Sequence, residues 1–143
     1  MQIDAVIARL KTRVPALRSV EPAADMMALM AKNALPANTP AAHVVPAGLR
    51  GGAGESISNA FTQEITESLG VVVTFRNVDA VGKRGLDQAD AIIDAILAAL
   101  SGWAPQGVSG VCSLTRGAVL KMEATTMVYL LEFAIPYQLR IIE

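Results

Sequence analysis

The sequence is short of the side chains on which most enzyme chemistry depends. Its 143 residues include one histidine, His43, and one cysteine, Cys112. A single cysteine excludes an internal disulfide framework, and one histidine with one cysteine supplies too few ligands for a tetrahedral zinc site. We interpret Cys112 as a small core or strand residue and His43 as a partly buried structural histidine. The sequence therefore predicts neither a metal site nor a cofactor.

The acidic residues also give no sign of paired general acid and base. Asp90 and Asp94 lie four residues apart on one face of a predicted helix, which is typical of a solvated surface. Glu64 and Glu67 differ in strand parity, so their side chains are expected on opposite sides of a sheet. The sequence predicts a protein that is not an enzyme.

Charged residues are scarce, at 17% of the chain, and the formal net charge is −1. This balance gives no general attraction to nucleic acid or to acidic membranes. A charged fraction below the usual ~25% indicates either a surface that a partner covers or simply an alanine-rich composition. No apolar run is long enough to span a bilayer, and the N-terminal segment lacks the pattern of a secretory signal. We expect a protein that works in a cytoplasm or is assembled there into something larger.

The hydrophobic pattern predicts one domain over residues 1–143. Apolar spacings of three and four residues predict helices that begin near Ile3, Pro22 and Gln88. Alternation predicts strands at residues 41–47, 61–75, 110–123 and 125–139, with a brief strand possible at 17–21. This order predicts an α/β (α+β) fold, in which helices pack on a mainly antiparallel or mixed sheet. The second helix is rich in methionine, which fills cores or forms adaptable binding surfaces, and we interpret its methionines as core.

A glycine-rich stretch, "AGLRGGAGESISNAF", separates two of the predicted strands. Its composition predicts a loop. The loop is not expected to bind phosphate, because no lysine completes a phosphate-binding motif and a strand rather than a helix follows. We interpret residues 50–59 of this stretch as a flexible arm that becomes ordered on contact with a partner. Arg76, Lys83 and Arg84 form a second, basic loop, which is more typical of a solvated turn than of a nucleic-acid site.

Sparse charge, a flexible loop and a strand long enough to extend beyond its sheet favour a subunit that its neighbours complete. The chain resembles the tail terminator, or tail-completion, proteins of tailed bacteriophages. The resemblance covers nearly the whole sequence, and its most distinctive parts are the "GWAP" turn and the "FAIPYQ" segment. The other segments that carry it are "ARLKTRVPALRSVEPAADMMALM", "TPAAHVVPAGLRGG", "GLDQADAIIDAILAALSGWAP" and "LLEFAIPYQLRI".

The resemblance implies a non-catalytic subunit of a six-membered ring. Such a ring caps the head-proximal end of the tail tube and offers a docking surface to head-completion or neck proteins. It implies a virion protein at the tail–head junction, assembled in the cytoplasm of the host bacterium. Since the family supplies no active-site residues, we select candidate contacts to the tube or to other subunits on physical grounds. These are Arg50, Gly51, Gly52, Gly54, Glu55, Glu64, Glu67, Arg76, Lys83 and Arg84.

Other functions remain open from the sequence. A head–tail connector is similar in size to a terminator and also forms a ring. A tail-tube subunit is another alternative, but it would polymerise into tubes by itself. A small ligand-binding α/β protein would need a convergent polar pocket, which the sequence does not reveal.

Overall fold

Three helices and five strands form the described part of the chain, residues 1–76, 83–123 and 125–142 of a computed structural model. The first half contains α1 (Ile3–Arg13), β1 (Ser19–Pro22), α2 (Ala23–Ala31) and β2 (Ala41–Ile57). The second half contains β3 (Ala60–Arg76), α3 (Lys83–Leu100), β4 (Ser113–Glu123) and β5 (Thr126–Ile142). The predicted order of elements is confirmed, including the brief first strand.

The strands form one mixed sheet in the order β1-β2-β3-β5-β4. β1 pairs with β2 in parallel, and every other neighbouring pair is antiparallel. The predicted α+β class, with helices against a mainly antiparallel or mixed sheet, is therefore confirmed.

The core lies between one face of this sheet and the helices α1 and α3, and we name that side the helix face. Alternate residues of β3 point into it, and the series from Leu69 to Phe75 is buried as the sequence predicted. Phe133 of β5, Leu10 of α1 and Ile96 of α3 are fully buried in the same cluster. Cys112 is also buried there, which confirms its interpretation as a core residue.

A cationic side chain joins the two core helices. The Arg9 guanidinium lies over the Trp103 ring, 5.3 Å from the ring centroid. Arg9 Nε also donates a hydrogen bond to the Ala99 carbonyl at 2.9 Å. Stacking and hydrogen bonding together fix α1 against the end of α3.

The glycine-rich stretch forms no loop, so the prediction of a flexible loop over residues 50–59 is wrong. β2 continues through it to Ile57, paired with β3 and interrupted only by register shifts between Pro46 and Gly48 and between Gly51 and Gly54. The two strands are joined by Ser58 and Asn59, whose φ angles of 50° and 63° suit a two-residue hairpin turn. Glycine is depleted in strands generally, which is why composition indicated a loop.

The helix α2 lies against the opposite face of the sheet and buries none of its residues completely. Met27 and Met30 are 69% and 67% exposed, so the interpretation of these methionines as core is wrong. A nine-residue helix at the β1 end of the sheet has only one side against the strands.

One partly buried hydrogen bond joins α2 to the sheet, between a buried histidine and an exposed aspartate. His43 of β2 is buried, and its Nε2 donates to Asp25 Oδ2 of α2 at 2.8 Å. The interpretation of His43 as a structural residue is therefore confirmed. Because α2 contributes no fully buried side chain, this bond is a large part of its attachment.

We predict that Asp25→Ala lowers the free energy of unfolding by about 1–3 kcal/mol, because it leaves a buried imidazole without its acceptor. Asp25→Asn keeps an acceptor oxygen and should lose less. Urea denaturation of both variants, with the exposed Asp94→Ala as a control, measures the difference. Equal stabilities for Asp25→Ala and Asp94→Ala would contradict this role.

Candidate assembly interface

Three strands extend beyond the helix-covered part of the sheet, and we name this part the distal arm. It consists of residues 46–57 of β2, 60–66 of β3 and 136–142 of β5. From Pro46 onward every residue of β2 is exposed. β1 reaches only residue 44 of β2 and β4 reaches only residue 134 of β5, so the arm is three strands wide.

The arm is amphipathic because the alternation of the core continues into it. On the side of the helix face its residues are mainly apolar, although no described helix covers them, and Leu49 is 63% exposed. We name this side the apolar arm face. It comprises Leu49, Phe61, Ile65, Tyr137, Leu139 and Ile141.

The other side of the arm carries mixed charges, and we name it the charged arm face. Register places Arg50, Glu55 and Glu64 together there, with Arg140 on the neighbouring strand. Three of the predicted contact residues are thus brought onto one surface. Their alternating signs give this face polarity without a large net field.

The glycines of the arm permit close packing of side chains from β3. A Cβ on Gly54 would stand 2.6 Å from the Phe61 ring, and one on Gly51 would stand 2.8 Å from Gln63 Nε2. Gln63 Nε2 also donates to the Gly52 carbonyl at 2.7 Å. Gly51, Gly52 and Gly54 are exposed strand residues, and the first and third accommodate neighbouring side chains.

Glu67 has a different environment from the other predicted contact residues. It is 3% exposed, and both of its carboxylate oxygens accept hydrogen bonds from the backbone N–H of Gln2, at 3.0 and 3.2 Å. Gln2 is the N-cap of α1, where a negative charge is favourable to the helix dipole. Glu64, on the other side of β3, is exposed, so the predicted opposition of the two glutamates is confirmed.

The predicted basic contacts are far from the arm. Arg76 ends β3, is exposed, and donates through Nη1 to the Pro36 carbonyl at 3.2 Å. At a rise of about 3.3 Å per residue, Arg76 lies about 40 Å from Glu64 along the strand. The prediction of one basic loop is wrong for Lys83 and Arg84, because α3 begins at Lys83 rather than near Gln88; their side chains lie outside the described residues.

Sequence reasoning missed a second exposed apolar surface, on β4. All residues of this strand but Ala118 are exposed, and it carries Leu114, Val119, Leu120 and Met122. Register shifts near Thr115 and Leu120 break the alternation, which hid the pattern in the sequence. The one signal available was four large apolar residues within an interrupted strand.

The described residues offer little reactive chemistry. Burial raises the pKa of the Cys112 thiol to about 11, so the thiol stays protonated near neutral pH. Among residues 1–76, 83–123 and 125–142, no group of three or more His, Cys, Asp and Glu side chains is placed to hold a metal ion. No helix in those ranges has the length and apolar character needed to cross a membrane.

Comparison with known proteins gives one match over the full length. The family model described as "Phage tail terminator protein" matches residues 1–143. The chain is also similar to one in a solved structure described as "Virion of native gene transfer agent (GTA) particle", with 16% identity and a TM-score of 0.44. That similarity covers 93% of this chain and 84% of the other. No curated protein matches the sequence significantly.

We predict that Glu67→Ala lowers the free energy of unfolding by about 1–3 kcal/mol, because it leaves the N-terminus of α1 without its buried acceptor. Glu64→Ala, three residues away on the exposed face, should change it by less than about 0.5 kcal/mol. Urea denaturation of the pair measures the contrast. Similar losses from both variants would show that the bonds to Gln2 contribute nothing specific.

Proposed function

Because this chain belongs to the phage tail terminator family, whose members are structural virion proteins and not enzymes, we propose that it forms a six-membered ring that caps the tail tube. The ring ends polymerisation at the head-proximal end of the tube and provides the docking surface for head-completion or neck proteins. The observation that carries the proposal beyond family membership is the distal arm, whose apolar face is half-buried to exposed and lies under no described helix.

The arm is suited to a contact with the tail tube. Its apolar face continues the buried face of the sheet, yet Leu49 and Ile141 are exposed in the single subunit. Burying apolar surface contributes about 25 cal/mol per Å², so covering this face stabilises an assembly. The strands are already paired with one another, so contact requires little ordering of the backbone.

The charged arm face supports orientation of that contact. Arg50, Glu55 and Glu64 present both signs, which favours one docked register over others. Glu67 is buried and supports the fold of its own subunit through its hydrogen bonds to Gln2. Arg76 ends β3, at the end opposite to the arm, and Lys83 and Arg84 begin α3. We assign these three residues to a separate contact, with a neighbouring subunit or with the lumen.

The proposed location is the tail–head junction of the virion, after assembly in the cytoplasm of the host bacterium. Family membership favours this reading over a connector or a tail-tube subunit. The three protein classes also differ in what they assemble into: a terminator forms a ring of six, a connector forms a ring of about twelve, and a tail-tube subunit forms tubes by itself.

We predict six-fold rings with a central opening when the purified protein is imaged at high concentration by negative-stain electron microscopy. Native mass spectrometry gives the copy number independently. Rings of about twelve would indicate a connector, and tubes of the protein alone would indicate a tube subunit.

The role of the arm is tested by shortening it without changing its turn. Deleting Ser56, Ile57, Ala60 and Phe61 places the Ser58–Asn59 turn between Glu55 and Thr62, which already face each other. Removing two pairs from each strand preserves the alternation of the antiparallel ladder. We predict that this variant folds and forms rings but no longer limits the length of tubes grown from tail-tube protein.

Tube length, measured by electron microscopy with and without added terminator, gives the result. A matched control replaces Val111, an exposed aliphatic residue outside the arm, with glutamate and should cap normally. Normal capping by the shortened variant would contradict the proposal that the distal arm contacts the tail tube.

A further inference from the structure

The strand β4 is an unusually open sheet edge. It ends the strand order, so no strand within residues 1–76, 83–123 and 125–142 pairs with its outer side. It is eleven residues long, and Val119 is 50% exposed. Single soluble subunits usually shorten, charge or cover such edges. Here Arg116, Lys121, Glu123 and two bulges interrupt an otherwise uncharged edge. An edge of this kind is suited to pairing with another strand.

A second open edge lies at the other end of the sheet. β1 pairs only with residues 41–44 of β2, which leaves the outer side of residues 45–57 without a strand in the described part of the chain. Gly48, Gly51, Gly52 and Gly54 lie on this segment. Glycine in a strand commonly marks a place where another backbone approaches closely.

From these two edges we infer that the sheet continues from one subunit to the next, with the outer edge of β4 in one copy paired to residues 45–57 of β2 in a second copy. The inference rests on the proposed ring, since it names the contact between neighbouring copies. A ring requires a head-to-tail contact between two different surfaces. These edges are different surfaces at opposite ends of one sheet.

The strand directions fit this contact. Three successive antiparallel pairings, from β2 to β3 to β5 to β4, leave β4 running opposite to β2. A rotation about an axis roughly along the strands preserves those directions. The β4 of one copy then meets the β2 of the next as an antiparallel pair, which is the more stable arrangement per residue.

The two edges are at different heights, and a closed ring uses that difference. One row of the sheet joins Ser113, Ala134, Ser68 and Gly48, so only the start of β4 is level with the open segment and the rest of β4 is level with the base of β2. Each copy must therefore be displaced along the strands relative to its neighbour. Strands that close into a cylinder require such tilt and stagger.

Side chains on the two edges also match. Leu114, Val119 and Met122 point to the helix face, because their partners on β5 are Phe133, Tyr129 and Met127. Leu49 points to the same side on β2. A sheet that continues between copies keeps its faces, so the exposed row on β4 lies beside Leu49 of the neighbour.

Thiol cross-linking tests this contact. Cys112 is buried with a raised pKa, so the native chain carries no readily reactive thiol. The double variant Val119→Cys with Leu49→Cys is treated with flexible bismaleimides of increasing length, because the contact has no fixed register. We expect a ladder of covalent multimers up to the size of the ring, and none from either single variant. A control pair, Asp94→Cys with Leu49→Cys, places the first thiol on the exposed side of α3 and should give no ladder.

Two results would overturn the inference: covalent dimers from Val119→Cys alone, which mean that β4 pairs with β4, and rings without cross-links in the double variant. If the double variant does not fold, hydrogen exchange on the wild-type protein decides instead, with slower exchange expected in residues 45–57 and 113–123 on assembly. Unchanged exchange in either segment overturns the inference. Wild-type protein that forms no rings counts against the proposed function, and a cross-linked ladder from the double variant would still support the pairing of edges.

Discussion

The pairing of β3 with β5 is the constraint on which the rest of the structure depends. All 17 residues of β3 face residues of β5 without a shift in register. In one half of this ladder the strands pack against α1 and α3 in the core, and the other half lies in the distal arm. Because side chains alternate with a period of two, a slip of one residue between these strands would place Leu69 and Phe133 on opposite faces of the sheet and would mix the two faces of the arm as well. Core and arm are therefore fixed by the same register.

This dependence explains which parts of the fold could be predicted. The odd residues from Leu69 to Phe75 are all apolar, and burial of their face follows from that pattern. Val72 on the other face is also apolar, and that face is buried there as well. The glycines of β2 gave the opposite indication, because their place in a strand depends on Phe61 and Gln63 of the partner strand rather than on β2 itself. Turn chemistry gave little help, since Ser58–Asn59 lacks the Asn-Gly pair that marks many two-residue hairpins.

The candidate site also has features that the sequence predicted and features that it did not. Strand parity separated Glu64 from Glu67 correctly, but the burial of Glu67 depends on the Gln2 backbone, 65 residues away in sequence. Exposure of Met27 and Met30 depends on where a short helix lies against the sheet, and methionine spacing alone does not contain that information. The edge of β4 was hidden because its register shifts replace a strict alternation with an irregular one. In each case the missing information is a contact between distant segments.

The open edges also bear on why assembly would end in a closed ring. An exposed edge strand is an aggregation hazard. In the described part of each subunit, β4 and residues 45–57 of β2 both present such an edge. A chain of copies joined by edge pairing always keeps one free β4 edge and one free β2 edge, whatever its length. Closure pairs these last two edges with each other, so the ring is the first assembly in which neither edge remains open. In the proposed ring, the contact that joins subunits would therefore also stop their growth, and the distal arm, projecting from each copy, would remain as the proposed surface for the tail tube.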